Sequence, residues 1–138
     1  MAAVNPYLTF GGTCEAAFDF YKAAFGGEFQ TLARFGEMPD MCGPGDKDKI
    51  MHVALPIGSS SILMGSDAPD SMGPVTAGNQ YSVSIQATSE AEADKLFNAL
   101  SAGGNPVMPM AKAPWNAYFG MFSDKFGIQW LINYDYAQ

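Results

Sequence analysis

The chain has 138 residues, of which 48% are hydrophobic, 13% aromatic and 15% charged. That is enough apolar material for one compact domain burying about two thirds of its unfolded surface, and too little charge for a disordered segment. Fourteen acidic residues against seven basic ones leave a formal charge of −7 without any Lys/Arg cluster, which argues against nucleic acid or an anionic membrane as a partner.

No apolar run has the length of a membrane span or a signal-peptide core, so a cytoplasmic protein is expected. Cys14 and Cys42 stand in no CxxC or CxxH spacing, and neither a disulfide framework nor a zinc knuckle is indicated.

Val4 to Phe10 reads as a strand, with Pro6 near its start where a missing N–H is tolerable, and is broken by Gly11-Gly12. Thr13 then stands as a plausible N-cap for a helix in which Cys14, Ala17, Phe18, Tyr21 and Phe25 recur at helical spacing, ended by Gly26-Gly27. Gln30 to Phe35 reads as a second strand. Gly36 to Lys49 is a loop rich in Gly, Pro and Asp, with the length and composition of a lid. Ile50 to Ile57 and Ser61 to Met64 form two strands around a Gly58-Ser59 turn, followed by a turn-rich connector from Gly65 to Gly78.

The order of elements then recurs. Gln80 to Ala87 is a strand, and Ser89 with Glu92 forms a capping box that opens a helix lined by Ala93, Leu96, Phe97 and Leu100 and ended by Gly103-Gly104. Pro106 to Met110, Tyr118 to Ser123 and Ile128 to Tyr134 are three further strands, the last two joined through Asp124 to Gly127. A shift of 77 residues lays Gly26-Gly27 on Gly103-Gly104, Phe20 on Phe97 and Ala16 on Ala93. The expected fold is therefore α+β: one domain over 1–138 made of two tandem β-α-β-β-β units, about 4–66 and 80–135, with curved mixed sheets. One helix cannot cover both faces of a four-stranded sheet, so a second unit or a second subunit must cover the rest.

NPYLTFGGTCEAAFDFYKAAFGGE at 5–28, FGEMPD at 35–40, IMHVALPIGSSSILMGSD at 50–67, and Trp115 followed by DKFGIQWLIN at 124–133 carry a more specific likeness. Across nearly the whole chain the sequence resembles the PhnB-like branch of the vicinal oxygen chelate superfamily, which includes glyoxalase I, bleomycin-resistance proteins and extradiol dioxygenases. Members of that branch have often been labelled 3-demethylubiquinone 3-methyltransferase-like. The label finds no support in the residues, because no glycine-rich loop followed by an acidic ribose-binding residue is present.

The resemblance implies a divalent metal held by His, Gln or Glu on the first and last strands of each unit. On the strands as read above, those positions offer Asn5, Tyr7 and Thr9; Ser61; Gln80, Tyr81 and Gln86; and Gln129 and Asn133, with no His, Asp, Glu or Cys. Metal-dependent relatives place Glu four residues after the turn glycine; here Leu131 occupies that place after Gly127. No metal and no cofactor are therefore expected.

The candidate pocket residues are His52, Glu37, Arg34, Tyr7, Met64, Gln80, Trp115, Tyr118 and Gln129. His52, the only histidine, reads either as a base or donor to an anionic ligand or as a hydrogen-bonded sheet residue. Glu37 or Asp40 would pair with it if their loop folds inward, or else stay solvated. Arg34, the only arginine, reads as a carboxylate clamp or as an edge-strand charge or dimer contact. Trp115 with Tyr118, and Trp130 in the last strand, aided by Met64 and other methionines, suit an aromatic wall; core or dimer packing is the alternative, at least equally so for Trp130, and Trp115 in the irregular KAPWNAY segment is the better pocket candidate. Cys14 reads as a small buried residue rather than an activated thiol, and Cys42 as a spectator.

The expected function is a metal-free, small-ligand-binding protein, a homodimer by family likeness, with no catalytic residue assigned. Two alternatives stand beside it. One is a glyoxalase- or dioxygenase-type enzyme with an unconventional ligand set such as His52, Glu37 and Gln80; the other is a resistance protein that sequesters a cationic drug.

Overall fold

The computed structural model describes residues 2–38 and 43–136. Asp40 and Cys42 lie outside the described residues, as does the end of the FGEMPD stretch. The chain divides into two compact units, the first ending at Thr76 and the second starting at Ala77.

The first unit contains β1 (Tyr7–Phe10), α1 (Cys14–Phe25), β2 (Thr31–Arg34), β3 (Ile50–Ile57) and β4 (Ser61–Asp67) in a mixed sheet of order β1-β4-β3-β2. The second contains β5 (Val83–Gln86), α2 (Glu90–Ser101), β6 (Asn105–Ala113), β7 (Ala117–Ser123) and β8 (Gln129–Asp135) in the order β5-β8-β7-β6. In each, the first strand runs parallel to the last and the other pairings are antiparallel. These are two β-α-β-β-β units of one plan. Their helices are both twelve residues long and start at Cys14 and Glu90, 76 residues apart, one fewer than the glycine pairs indicate. Ala17 and Ala93, both fully buried, are the matching helix positions.

In the first unit α1 buries Cys14, Ala17, Phe18 and Tyr21. Opposite this stripe the sheet alternates: Leu8 and Phe10 are buried while Tyr7 and Thr9 are exposed. Phe18 meets Phe10 and Tyr21 edge to face, at centroid distances of 6.2 and 5.4 Å, and its burial contributes about 2 kcal/mol. Gly65 lies directly beneath it: a Cβ there would come within 2.7 Å of the Phe18 ring and 2.8 Å of the Leu8 carbonyl. This glycine is therefore a packing residue within a strand. β4 runs through it to Asp67, three residues beyond the expected end at Met64.

The N-terminus of α1 departs from the sequence expectation. Thr13 makes no side-chain cap. The buried Asp67 carboxylate does that work from β4: Oδ1 accepts the amides of Gly12 (2.9 Å) and Cys14 (3.0 Å), and Oδ2 accepts the amide of Ile50 at 2.9 Å. One carboxylate thus pins the helix start and the beginning of β3 to the end of β4.

In the second unit α2 has its own cap, with Ser89 Oγ accepting the Glu92 amide at 3.0 Å and Glu92 accepting the Thr88 amide at 2.8 Å. Its buried residues Ala93, Leu96, Phe97 and Leu100 are those the periodicity indicates. Trp130, 1% exposed, donates its indole N–H to the buried Asp124 at 2.9 Å. The other Asp124 oxygen accepts the amides of Phe126 and Ile128 and so shapes the turn before β8.

Three boundaries differ in ways that matter for function. β6 continues to Ala113, so the segment around Trp115 is not irregular: Pro114, Trp115 and Asn116 form the tip of a β6–β7 hairpin, with Asn116 at φ 61°. β8 continues one residue past Tyr134 to Asp135. β5 starts at Val83, leaving Gln80 outside the strand. Among the described residues no helix is long and apolar enough to cross a membrane.

Replacing Asp67 by Ala strands three amide donors at a buried site and should destabilise the protein by about 3 kcal/mol or more, measured by urea denaturation. A loss below about 1 kcal/mol would show that water or neighbouring groups satisfy those amides instead.

Candidate functional site

Strand alternation sorts each unit into a helix-covered face and an open face. On the open face of the first unit, Tyr7 pairs in register with Met64, and Met64 with Ala54. The Tyr7 hydroxyl lies 3.2 Å from His52 Nδ1, and the two rings stack with centroids 5.7 Å apart and planes at 21°. These strands are not adjacent, since β4 lies between β1 and β3, so the two side chains meet above it. With the phenol as donor, Nδ1 accepts and the imidazole proton sits on Nε2, which has no partner among the described residues and can donate to a ligand.

Arg34 and Glu37 are engaged elsewhere. The Arg34 guanidinium grips Glu15 of α1 through two hydrogen bonds, of 3.1 and 2.6 Å, and donates to the Asp48 carbonyl at 3.0 Å. This bidentate pair holds the Glu15 carboxyl below its usual range and raises the guanidinium further. Glu37 accepts the Arg34 amide at 2.8 Å within a short 3-10 turn, Phe35–Glu37. The partner the structure gives His52 is Tyr7, not Glu37.

The loop that follows is fixed where it is described. Asp46, 1% exposed, accepts the Gly43 amide and the Lys49 ammonium, and Lys49 also reaches Asp70 at 2.8 Å. Bonding to Lys49, and then to the Gly43 amide, holds the Asp46 carboxyl below its usual range. Cys14 is fully buried, and burial, with Asp67 nearby, pushes its thiol up to about 12.

The open face of the second unit is built in rows. Gln86, Asn133, Phe119 and Ala111 pair in register across β5, β8, β7 and β6. To one side Ser84, Leu131, Met121 and Met108 form a parallel row; to the other, Asp135 stands opposite Ala117, and Ala117 opposite Ala113. The polar members are linked. Asn133 Nδ2 donates to Asp135 Oδ1 (2.9 Å) and to Gln86 Oε1 (3.2 Å), and Gln86 Nε2 donates to Asp135 Oδ2 at 3.2 Å. Trp115 reaches in from the hairpin tip, its indole N–H 3.4 Å from Asn133 Oδ1 and its ring edge to face with Phe119 at 5.3 Å.

Asp135 corrects the expectation that the first and last strands carry no acidic residue. So does Asp67 on β4, but its carboxylate is spent beneath the sheet on α1. Asp135 and Phe119 are absent from the residues read from the sequence, and Gln86 and Asn133 enter there only as neutral strand donors and not as pocket candidates, although the alternation Gln129, Leu131, Asn133, extended by one step, reaches Asp135.

The remaining candidates do not join this cluster. Gln129 donates to the carbonyls of Gly78 (2.9 Å) and Tyr81 (2.8 Å), bracing the segment that leads into β5. Gln80 is an exposed residue of that segment. Tyr118 belongs to the helix side, donating its hydroxyl to Asp94 of α2 at 2.7 Å, and Tyr136 donates likewise to Glu90.

A family model described as the Glyoxalase/Bleomycin resistance protein/Dioxygenase superfamily matches residues 3–132. The chain belongs to this superfamily. It is 29% identical to Protein YjdN of Escherichia coli (strain K12), over 94% of this chain and 93% of that protein. Its fold superimposes on the crystal structure of PA1353 from Pseudomonas aeruginosa with a TM-score of 0.86 and 41% identity, covering 98% of each chain. It also resembles a PhnB protein of Bacillus cereus that carries a provisional 3-demethylubiquinone-9 3-methyltransferase name, with a TM-score of 0.78 and 25% identity over 96% of this chain and 99% of that one. The glyoxalase-like fold and the PhnB-like kinship read from the residues are thus found in the structure as well.

Tyr118 and Tyr136 supply a pH prediction. Bonding to Asp94 and Glu90 raises each phenol from its ordinary 10 to about 12. A raised value in the fold means that the stabilisation is complete below pH 10 and is lost as pH rises through about 12. Urea midpoints of the Tyr118→Phe/Tyr136→Phe variant should therefore fall less steeply than the parent's across that alkaline window. Parallel curves would show that neither bond forms in solution.

Proposed function

We propose that this protein is a PhnB-like small-ligand-binding member of the superfamily that works without the usual divalent metal. The observation that carries this reading is the row of positions where a metal would be gripped. Tyr7 faces Met64 and Ser84 faces Leu131, which presents a phenol, a thioether, a hydroxyl and an alkyl group. None is an imidazole or a carboxylate, the donors that hold a divalent ion and offset its charge. Among the described residues no three His, Cys, Asp or Glu side chains cluster to take their place. Among the described residues Asp135 is the one carboxylate in the rows of the second open face, and its row partner is Ala117, so no second charged donor stands beside it. The donor set does not fit the metal.

What these faces do offer suits a small organic molecule: apolar surface from methionines and aromatics beside a few fixed polar groups. The Tyr7–His52 pair supplies an oriented donor, and the amide–carboxylate cluster supplies acceptors. Each sheet carries a helix on one face only, which supports a second copy of the chain as a partner, and the reading places the protein in the cytoplasm. No reaction is part of it.

Elemental analysis of the purified protein, followed by calorimetric titration with zinc, nickel and manganese, tests the proposal. The expected result is no metal at stoichiometric level and no saturable uptake. One equivalent of any of these ions retained through dialysis would overturn it. Sedimentation velocity should give a single species of twice the chain mass; a monomer at micromolar concentration would remove the second copy.

A further inference from the structure

We propose that the open face of the second unit recognises an ammonium group carried by a small, partly apolar molecule. This rests on the ligand-binding reading above and names the class of ligand.

The direction of the hydrogen bonds carries the inference. Asn133 spends its amide donors on Asp135 and Gln86, while its own oxygen accepts from Trp115. The Gln86 oxygen is likewise occupied, and its amide group points at Asp135. Two amides therefore converge on one carboxylate and hold both of its oxygens in place. A carboxylate has about four lone-pair sites, so two remain. The capacity left at the centre of the cluster is thus mainly for accepting, and it carries a full negative charge.

Among the described residues the ion pairs of Lys22, Arg34 and Lys49 go to Glu28, Glu15, Asp46 and Asp70, and Asp135 is a member of none of them. Lys112, on the edge strand of the same sheet, pairs in register with Tyr118 on the helix side and lies 5.9 Å from the Tyr136 ring.

Across Asn133 from the carboxylate, bonded to the other end of the same amide, stands Trp115, 57% exposed although indole is costly to leave in water. Its position is fixed by Asn133 and Phe119. Ala111 and Ala113, small side chains of the edge strand, lie along the adjoining rows, while Ala117, opposite Asp135, is buried. A negative charge next to an exposed indole is the pairing that binds ammonium groups: the carboxylate attracts the charge and the ring face attracts its polarised methyl or N–H groups. A carboxylate or phosphate ligand would instead meet Asp135 head on.

Choline is the probe, compared with its uncharged isostere in which a tert-butyl group replaces trimethylammonium. Fluorescence of Trp115 reports binding, since Trp130 is buried. The full chain should bind choline at least about tenfold more tightly than the isostere. Asp135→Asn, nearly isosteric, should remove about tenfold of the choline affinity while leaving the thermal midpoint within a few degrees. Asp19→Asn, which neutralises an exposed helix carboxylate, should leave the affinity unchanged.

No saturable signal with choline, equal binding of the isostere, or equal losses in the Asp135 and Asp19 variants would each overturn the inference. A Trp115→Phe variant that retains choline binding by calorimetry with unaltered affinity would do the same. Failure of the metal-free reading would appear separately, in the metal titration, and leaves the choline comparison intact.

Discussion

A β-strand sends alternate side chains to opposite faces, and in each unit only one of those faces receives a helix. Everything else follows from that constraint. In the first unit it sends Leu8, Phe10, Val53, Leu55 and Leu63 into the core and leaves Tyr7, His52 and Met64 on the outer side. In the second it buries Phe122, Trp130 and Ile132 and leaves Gln86, Leu131, Asn133 and Asp135 outside. A slip of one residue would exchange the two sets, exposing the core and burying a carboxylate, so fold and site are fixed by the same register.

Buried aspartates enforce that register. Asp46, Asp67 and Asp124 are each less than 5% exposed, in a chain with twice as many acids as bases. Asp46 takes a lysine. Asp67 accepts backbone amides alone, and Asp124 accepts amides and an indole N–H. Such donors stabilise a carboxylate without requiring a cation beside it. They also occur at positions no regular ladder serves: a helix start, the beginning of β3 and the turn into β8. The acidity that argues against nucleic acid as a partner is thus partly structural.

Helices and the central strands were legible in the sequence because their signals are local. The capping residues of α2, the stripe Ala17, Phe18, Tyr21 and the largely apolar run Ile50 to Ile57 before the Gly58-Ser59 turn all lie within a few residues. Strand ends were not. Gly65 reads as turn punctuation, but its missing side chain is space for Phe18, a residue 47 positions earlier. Pro114 and Asn116 read as irregular chain because turn chemistry looks the same in a hairpin tip and in a loop. The site suffered from the same limit. Tyr7 meets His52 across 45 residues and Gln86 meets Asp135 across 49, distances that no local pattern spans. Glu37 and Arg34 were legible as charged groups near a loop, but not as partners of their own helix and turn.

The two units keep one backbone plan and carry different chemistry on it. Their matching rows hold Tyr7 with Met64 and Ser84 with Leu131, then Thr9 with Ser66 and Gln86 with Asn133. Inward residues are held by packing, where a lost side chain costs several kcal/mol, whereas outward substitutions away from buried contacts usually change stability by less than about 0.5 kcal/mol. Duplicated sheets can therefore diverge on their open faces without refolding. A metal would restrict that freedom, since it needs charged donors to persist together at fixed geometry. Asp135 has no such requirement: two amide donors hold its carboxyl in place, and the residue is exposed. On the proposed reading a site of this kind needs no metal, because the protein's own amides orient the carboxylate from one side and leave the other side for a ligand.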